Sequence, residues 1–300
     1  MQLLITGASG FVGHILSPYL MQFHNSVRPI SLRDQWRRND ISEADCIIHL
    51  AGKAHDTSNT SFPEEYFSIN TVLTKRLFDR FLDGPTKIFI YFSSVKAVAD
   101  SVNGVLDENA VPSPRTPYGL SKLRAEEYIL SQKLSADKRV FVLRPTMIHG
   151  PGNRGNLNLL YNIVERGFPW PLAAFENQRS FLSIDNLCYI VKLIIEAPPE
   201  VPSGIYNCAD DESLPTNELV ALIAESIGKK PKFWRIPKQI IKRIATMGDT
   251  FNLPMDSERL GKLTENYVVS NKKLKSVLGI EKLPFSAREG LQKTFKSFAN

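Results

Sequence analysis

The first thirteen residues constrain this chain more than any others. An apolar run, Leu3-Leu4-Ile5, breaks into Thr6-Gly7-Ala8-Ser9-Gly10-Phe11-Val12-Gly13 and resumes as Ile15-Leu16 at helical spacing. That pattern is a strand, a glycine turn and a helix start, the unit that aims backbone N–H groups and a positive dipole end at a pyrophosphate. Gly7 permits the tight turn, Gly10 lets the backbone approach phosphates, and Gly13 lets the helix pack close on the strand. Three glycines alone could be an ordinary loop. Between a strand and a helix at the chain start, they point to dinucleotide binding, with Gly7, Gly10, Phe11, Val12 and Gly13 as candidate contacts.

The remaining composition narrows the class. With 300 residues, 43% hydrophobic and 23% charged, the chain is long enough for one large or two modest globular domains. Its apolar stretches fall far short of the roughly 18 residues that span a bilayer. The amino-terminal apolar run serves as the first strand and lacks a basic leader, so no signal peptide is expected and the cytoplasm is the expected compartment. Cys46, Cys188 and Cys208 have no metal-like spacing, which fits buried reduced thiols and no metal site. The net charge of +6 raises the question of nucleic acid. Basic residues read as scattered, without an aromatic-interleaved patch, and a small anionic substrate accounts for the balance equally well.

Val27 to Leu32 reads as the second strand, whose carboxyl end is where a dinucleotide fold reads the adenosine ribose. An acid there would bind a free 2′-hydroxyl, but this chain has Ser31 and Arg33, with Asp34 next. Arg33, helped by Arg37 or Arg38, could fork onto a 2′-phosphate, which tilts the cofactor from NAD toward NADP; the alternative is a solvated Arg cluster. Too few residues precede the next strand, Cys46 to Leu50, for a full helical crossover, so the sheet is expected to be trimmed at that edge. Asp40-Ile41 falls where a turn would contact adenine, and Leu50-Ala51-Gly52 offers small residues beside the cofactor.

Apolar residues at helical spacing run from Phe62 to Leu82, opened by Pro63-Glu64-Glu65. Asn70 inside it is either an exposed neutral residue or an amide aimed into the site. Lys87 to Ser94 is a strand ending in Ser93-Ser94, and Tyr118 and Lys122 lie one turn apart at the start of the next helix. A strand at Val140 to Leu143 closes with Arg144-Pro145, and the rhythm loosens after Gly150-Pro151-Gly152. A helix from Asp185 to Ala197 and a strand at Ile205 to Cys208 return to the first unit. The expected fold is therefore α/β, a Rossmann-type doubly wound parallel sheet with a smaller, interleaved carboxy-terminal domain. Residues 1–150 with 183–210 form the first, and 151–182 with 211–300 the second. Arg235 to Met247 is basic and amphipathic; it either packs on its own domain, the preferred reading, or lies on an anionic membrane.

Five segments in order, TGASGFVG (Thr6 to Gly13), HLAG (His49 to Gly52), FSS (Phe92 to Ser94), YGLSK (Tyr118 to Lys122) and LRPTMIHGPG (Leu143 to Gly152), resemble the extended short-chain dehydrogenase/reductase family. The resemblance is to its nucleotide-sugar epimerase/dehydratase branch, the UDP-glucose 4-epimerase-like one, and covers most of the chain. It implies a catalytic set of Ser94, Tyr118 and Lys122, in which Tyr118 exchanges a proton with the substrate oxygen and Ser94 holds that oxygen in line. A phenol of pKa about 10 is a poor base near neutrality, and a lysine ammonium one turn away is expected to lower it. The resemblance also gives Lys122 the nicotinamide ribose, assigns Asn70 and Pro145 to the cofactor site, and assigns a substrate diphosphate to Asn156, Arg179 and Arg259.

Departures narrow the reaction. Where 4,6-dehydratases carry an acidic pair this chain has Val95-Lys96, which argues against dehydration; Val98-Ala99 replaces a Tyr-Gly, and Met147 replaces a frequent Asn. The expected activity is NAD(P)-dependent hydride movement at C4 of a UDP-hexose, as a 4-epimerase or a 4-ketoreductase. The missing acid at Ser31 leans to the reductase and the general resemblance to the epimerase. A dinucleotide-sensing regulator or scaffold without chemistry is the alternative from another class. The resemblance further implies a homodimer through the helices of Asn70 and Tyr118, no nucleic-acid partner, and a place in cell-surface polysaccharide synthesis.

Overall fold

The computed structural model describes residues 1–24, 26–33, 41, 43–53, 62–153, 155–251 and 256–299. Asp34, Arg37, Arg38 and Asp40, four of the residues considered for the adenosine end, lie outside them. The first half alternates strand and helix: β1 (Gln2–Thr6), α1 (Phe11–Met21), β2 (Ser26–Ile30), β3 (Cys46–His49), α2 (Pro63–Tyr66), α3 (Leu73–Asp83) and β4 (Ile88–Phe92). A short β5 (Val105–Leu106), α4 (Pro117–Ser131) and β6 (Arg139–Pro145) follow. The second half holds β7 (Met147–His149), α5 (Asn156–Glu165), β8 (Arg179–Ser183), α6 (Ile184–Glu196), β9 (Gly204–Cys208) and β10 (Ser213–Leu214). It continues through α7 (Thr216–Ser226), α8 (Lys238–Phe251), α9 (Ser257–Thr264), β11 (Val268–Val269), α10 (Lys272–Leu278) and α11 (Ala287–Phe298).

Six strands form a parallel sheet in the order β2-β1-β3-β4-β6-β9. Strands β1, β3, β4 and β6 are apolar and buried along nearly their whole length, as strands covered on both faces must be. Among the described residues the sheet ends at β2, as the short spacing to β3 implies; β2 tolerates Pro29 because an edge strand can spare a ladder donor. It ends at Ile30, two residues before the expected boundary. One face of the sheet packs on α1 and α6, whose Leu16, Leu187 and Ile190 are fully buried. The other packs on α3 and α4 through Phe78, Phe81 and Ile129. Strand β9 pairs with β6 at the far edge, and α6 packs in the same core as α1. A separate core of Leu157, Trp170, Phe181, Leu222, Leu291 and Phe295 joins α5, α7 and α11.

The helix expected over 62–82 is not regular. Between α2 and α3 the residues Phe67–Val72 form a π-helical turn, and each such turn shifts the helix face by about a residue. The consequence is that Asn70, Thr71 and Thr74 are buried while Ile69 and Leu73 are only partly so. Between Tyr66 and Leu77, both buried, a polar strip faces inward in place of the apolar residues read from spacing.

Candidate active site

In a parallel sheet all carboxyl ends share one edge. The chain passes from β2 across β1 to β3, so the crevice at the reversal of strand order opens between Gly7 and Leu50-Ala51. Leu50 N–H donates to the Thr6 carbonyl at 3.2 Å and Ala51 N–H to Thr6 Oγ1 at 3.0 Å. Gly7 has φ +71°, and a β-carbon on it would stand 2.7 Å from Ala51 N; one on Gly13 would stand 2.5 Å from Ala8 Cα. Gly10 precedes α1 and no side chain caps that helix start. A turn stripped of side chains and an uncapped helix N-terminus fit a pyrophosphate. Phe11 and Val12, the first two residues of α1, are partly buried beside it. Thr6 pairs with Ile30, which places exposed Ser31 and Arg33 beside the same turn; Ser31 Oγ accepts from the Arg33 N–H at 3.3 Å. Ile41 is buried in the sheet's core, and Pro145, also buried, closes β6 on the same edge as Gly7.

The three expected catalytic residues come together. Ser94 follows β4 and caps a short 3-10 turn by accepting from Lys96 N–H at 3.2 Å, which leaves its own proton for another acceptor. That acceptor is the Tyr118 oxygen. Helix α4 presents Tyr118 because Thr116 caps it, accepting from Gly119 N–H at 3.2 Å, and Pro117 takes the first-turn position where no N–H is needed. Gly119 sets the approach: a β-carbon there would stand 2.4 Å from the Lys96 carbonyl oxygen. Lys122, one turn on, is buried with Nζ donating to the Phe92 carbonyl at 2.8 Å and lying 5.0 Å from the Tyr91 ring centre.

The electrostatics correct one expectation. Burial pushes the Tyr118 phenol above its usual 10, and the Ser94 hydrogen bond, rather than the Lys122 ammonium, offsets part of that rise. Lys122 itself is pushed down to about 8 by burial, opposed by Glu126 one turn below. Glu126 is buried with Arg144, whose Nε and Nη2 both reach its carboxylate, at 3.0 and 2.5 Å. In this geometry the lysine ammonium is committed to a carbonyl and a ring face.

Asn70 is neither exposed nor a group pointing freely into the crevice. Its Oδ1 accepts from Lys53 N–H at 2.7 Å, and its Nδ2 donates to Lys53 O at 3.1 Å and to Ser121 Oγ at 3.0 Å. The amide thereby pins the strand end after Gly52 to α4. Sequence reasoning missed Tyr66, whose ring centre is 6.1 Å from that of Tyr118, and Lys53, which pairs with Glu65 and lies over the Tyr66 ring. Lys53 directly follows HLAG, which was the available signal.

Of the three expected diphosphate contacts, Arg179 is drawn toward the Ser94 turn. It opens β8 and bridges to Tyr267, whose hydroxyl donates toward Val95 O at 3.2 Å and Ala99 O at 2.7 Å. Lys96 Nζ sits over the Tyr267 ring at 4.3 Å. So the Val95-Lys96 pair packs on Tyr267, the residue that bridges to Arg179. Burial lowers the Arg179 pKa below the ordinary guanidinium value. Asn156 is exposed at the first position of α5. Arg259 is exposed on α9 and pairs with Asp256. Among the described residues no group of His, Cys, Asp and Glu side chains could hold a metal ion, and the three cysteines are buried thiols.

The sequence model of the NAD dependent epimerase/dehydratase family matches residues 3–209, from β1 through β9. The chain belongs to this family. It is an enzyme of the extended short-chain dehydrogenase/reductase type. A UDP-glucose 4-epimerase of Vibrio cholerae is 26% identical to it over 319 residues, covering 99% of this chain and 95% of the relative. An N-acetyl-alpha-D-glucosaminyl-diphospho-ditrans,octacis-undecaprenol 4-epimerase of Escherichia coli O157:H7 is 28% identical over 254 residues, 78% of this chain and 75% of the relative. Among solved structures, MoeE5 in complex with UDP-glucuronic acid and NAD superposes with a TM-score of 0.75 at 23% identity, covering 100% of this chain and 99% of the other. That likeness extends the fold shared with epimerase/dehydratase family members through the second core to α11. In this epimerase/dehydratase family member the described residues hold no helix long and apolar enough to cross a membrane.

Proposed function

We propose that the protein moves hydride at C4 of a UDP-hexose, with Ser94, Tyr118 and Lys122 as its catalytic residues, and that it does so as a 4-epimerase. The observation that carries this reading is the Ser94 to Tyr118 hydrogen bond set beside buried Lys122, on the sheet edge that also holds the glycine turn. When bound, a nicotinamide dinucleotide supplies hydride exchange with the sugar carbon. Gly7, Gly10, Phe11, Val12 and Gly13 hold its pyrophosphate; Leu50, Ala51, Gly52 and Pro145 line its path, with Ser31 and Arg33 at the ribose. Tyr118 Oη gives or takes the sugar hydroxyl proton, and Ser94 Oγ holds the same oxygen and stabilises charge developing on it. Lys122 holds the nicotinamide ribose. Asn70 acts through Lys53 and Ser121 as a positioning residue. Asn156, Arg179 and Arg259 hold the substrate diphosphate by charge and fork geometry. Residues 151–182 and 211–300 serve as the substrate-binding part, and Val95-Lys96 leaves no acid for dehydration.

A second reading, a 4-ketoreductase using NADPH, is favoured by Ser31 and Arg33 standing where an acid would select NAD. Mass spectrometry of UDP-hexoses and their 4-keto derivatives after incubation, with nicotinamide absorbance followed alongside, separates the two. Interconversion without net change in absorbance is expected. Stoichiometric oxidation of NADPH would assign the reductase. Tyr118→Phe is expected to lower turnover by about 10²- to 10⁴-fold while cofactor still binds. A parent protein without turnover, whose cellular role survived Tyr118→Phe, would instead be a regulator or scaffold; turnover retained in the variant would overturn the role given to Tyr118.

A further inference from the structure

Tyr267 lies outside residues 3–209, the part of the chain that the family's sequence model matches, yet it stands between two groups given to the substrate. On one side its backbone grips the strand that carries Arg179. Tyr267 N–H donates to Gln178 O at 2.8 Å, and Ser180 N–H donates to Tyr267 O at 2.9 Å. Both chain neighbours of Arg179 are thus held by one residue. Ser180 Oγ also accepts from Val269 N–H at 3.0 Å, and Val268 and Val269 continue the contact as β11, paired with β5.

On the other side its hydroxyl grips the turn that follows Ser94. This 3-10 turn, Val95–Ala97, is closed by Ala97 N–H on Ser94 O at 2.9 Å and by Val98 N–H on Val95 O at 3.0 Å. Tyr267 Oη shares one proton between Val95 O at 3.2 Å and Ala99 O at 2.7 Å, one carbonyl within the turn and one just past it. Lys96 Nζ stands 4.3 Å from the Tyr267 ring centre and donates to Asp100 O at 2.7 Å, fastening the end of the same turn. The ring is buried among Val95, Val98, Leu106, Ala209 and Val269. Burial raises its phenol pKa, so the hydroxyl remains a donor.

A phenylalanine would fill this apolar cluster equally well. What the hydroxyl adds is a fixed separation between the Ser94 turn and Arg179. We propose, resting on the roles given to Ser94 and Arg179, that Tyr267 is a positioning residue for the hydride transfer: it fixes the Ser94 turn against β8, so that Ser94 Oγ meets the sugar oxygen while Arg179 holds the diphosphate. A displacement of about 1 Å at such a hydroxyl can cost about 10²-fold in rate.

The test joins hydrogen exchange to steady-state kinetics on the full-length protein. Without ligand, Tyr267→Phe is expected to speed exchange of the Ala97 and Val98 amides by about tenfold. On UDP-galactose it is expected to lower kcat by about 10- to 100-fold and to leave KM within about twofold. In a Ser94→Ala background the same substitution should change kcat by less than about twofold, because the hydroxyl it aims is gone. A tyrosine of structural value alone would slow both backgrounds alike, and that result overturns the proposal. So does unaltered exchange or unaltered kcat in folded Tyr267→Phe, or a raised KM at constant kcat. Lys96→Met removes the cation over the ring and leaves the hydroxyl in place; it should slow turnover by about threefold and serves if Tyr267→Phe fails to fold. Unaltered kcat in that variant overturns the proposal as well. Full turnover by Ser94→Ala alone would overturn the role given to Ser94, and the proposal with it, even where exchange at the turn responds to Tyr267→Phe.

Discussion

His49 ends β3 enclosed by two threonines remote in sequence. Thr6 Oγ1 accepts from Ala51 N–H and turns its proton to His49 Nδ1 at 2.7 Å, while Nε2 lies 2.8 Å from Thr74 Oγ1. The ring is thus held neutral, and burial, reinforced by the Lys122 charge, pushes its pKa from 6.5 to about 3. Between those values the unfolded chain takes a proton that the folded one refuses, so stability falls as pH drops from 6.5 toward 3. The loss approaches about 5 kcal/mol at the lower limit. Urea midpoints measured across that window should fall less steeply for His49→Gln; an unchanged slope would assign the acid loss to carboxylates. Lys122 carries the related cost for a cation. With its pKa lowered from 10.5 to about 8, the folded chain holds a disfavoured buried ammonium at pH below 8, and the penalty is relieved as pH rises from 8 to 10.5. Lys122→Met, assayed without added cofactor near neutrality, is expected to gain about 2 kcal/mol while losing turnover. A destabilised variant would mean that the bond to the Phe92 carbonyl outweighs the burial of charge.

At the scale of elements, the glycine turn separates two demands that look alike in sequence. A β-carbon on Gly13 meets Ala8 Cα and Gly7 O at 2.5 Å, both backbone atoms, whereas on Gly10 the nearest atom is 3.3 Å away. Gly10 also has φ −78°, open to any residue. Gly13→Ala should therefore cost about 1–3 kcal/mol of stability, read as a lowered Tm. Gly10→Ala should keep the Tm and weaken dinucleotide affinity, read by calorimetry; equal Tm losses would sink the distinction. The α4 start was legible for local reasons, since Thr116, Pro117 and the Tyr118 to Lys122 spacing act within two turns. The π-helical turn was not, because one residue's shift leaves the apolar spacing of 62–82 nearly intact while moving Asn70 inward. Nor was the commitment of Lys122 to Phe92, thirty residues away, or of Arg179 to the Ser94 turn through Tyr267. Such pairings depend on which strands become neighbours, and no local pattern encodes them.

Across the whole molecule, the two cores meet at a buried carboxylate. Asp210, just past β9, accepts from Ser183 N–H at 3.0 Å and Asn186 Nδ2 at 2.7 Å, tying the last sheet strand to the start of α6. Asn186 in turn exchanges bonds with Phe285 O and N at 2.8 and 3.1 Å, ahead of α11, the helix that fills the second core. His149 completes the joint: Nδ1 lies 2.9 Å from Thr294 Oγ1 on α11, and Nε2 lies 3.7 Å from Asp210 Oδ2. Every side chain in this set but Phe285 is buried, so an oxygen lost from Asp210 leaves donors from two cores without an acceptor. Asp210→Asn turns an NH2 group toward those donors and is expected to cost about 3 kcal/mol. If the joint couples the cores, far-ultraviolet circular dichroism and the fluorescence of Trp170 in the second core, read as the signal lost in a Trp170→Phe reference, should move together to a lower urea midpoint. Two separated transitions would instead show that each core unfolds by itself, and that the catalytic edge and the substrate-binding part are held together elsewhere.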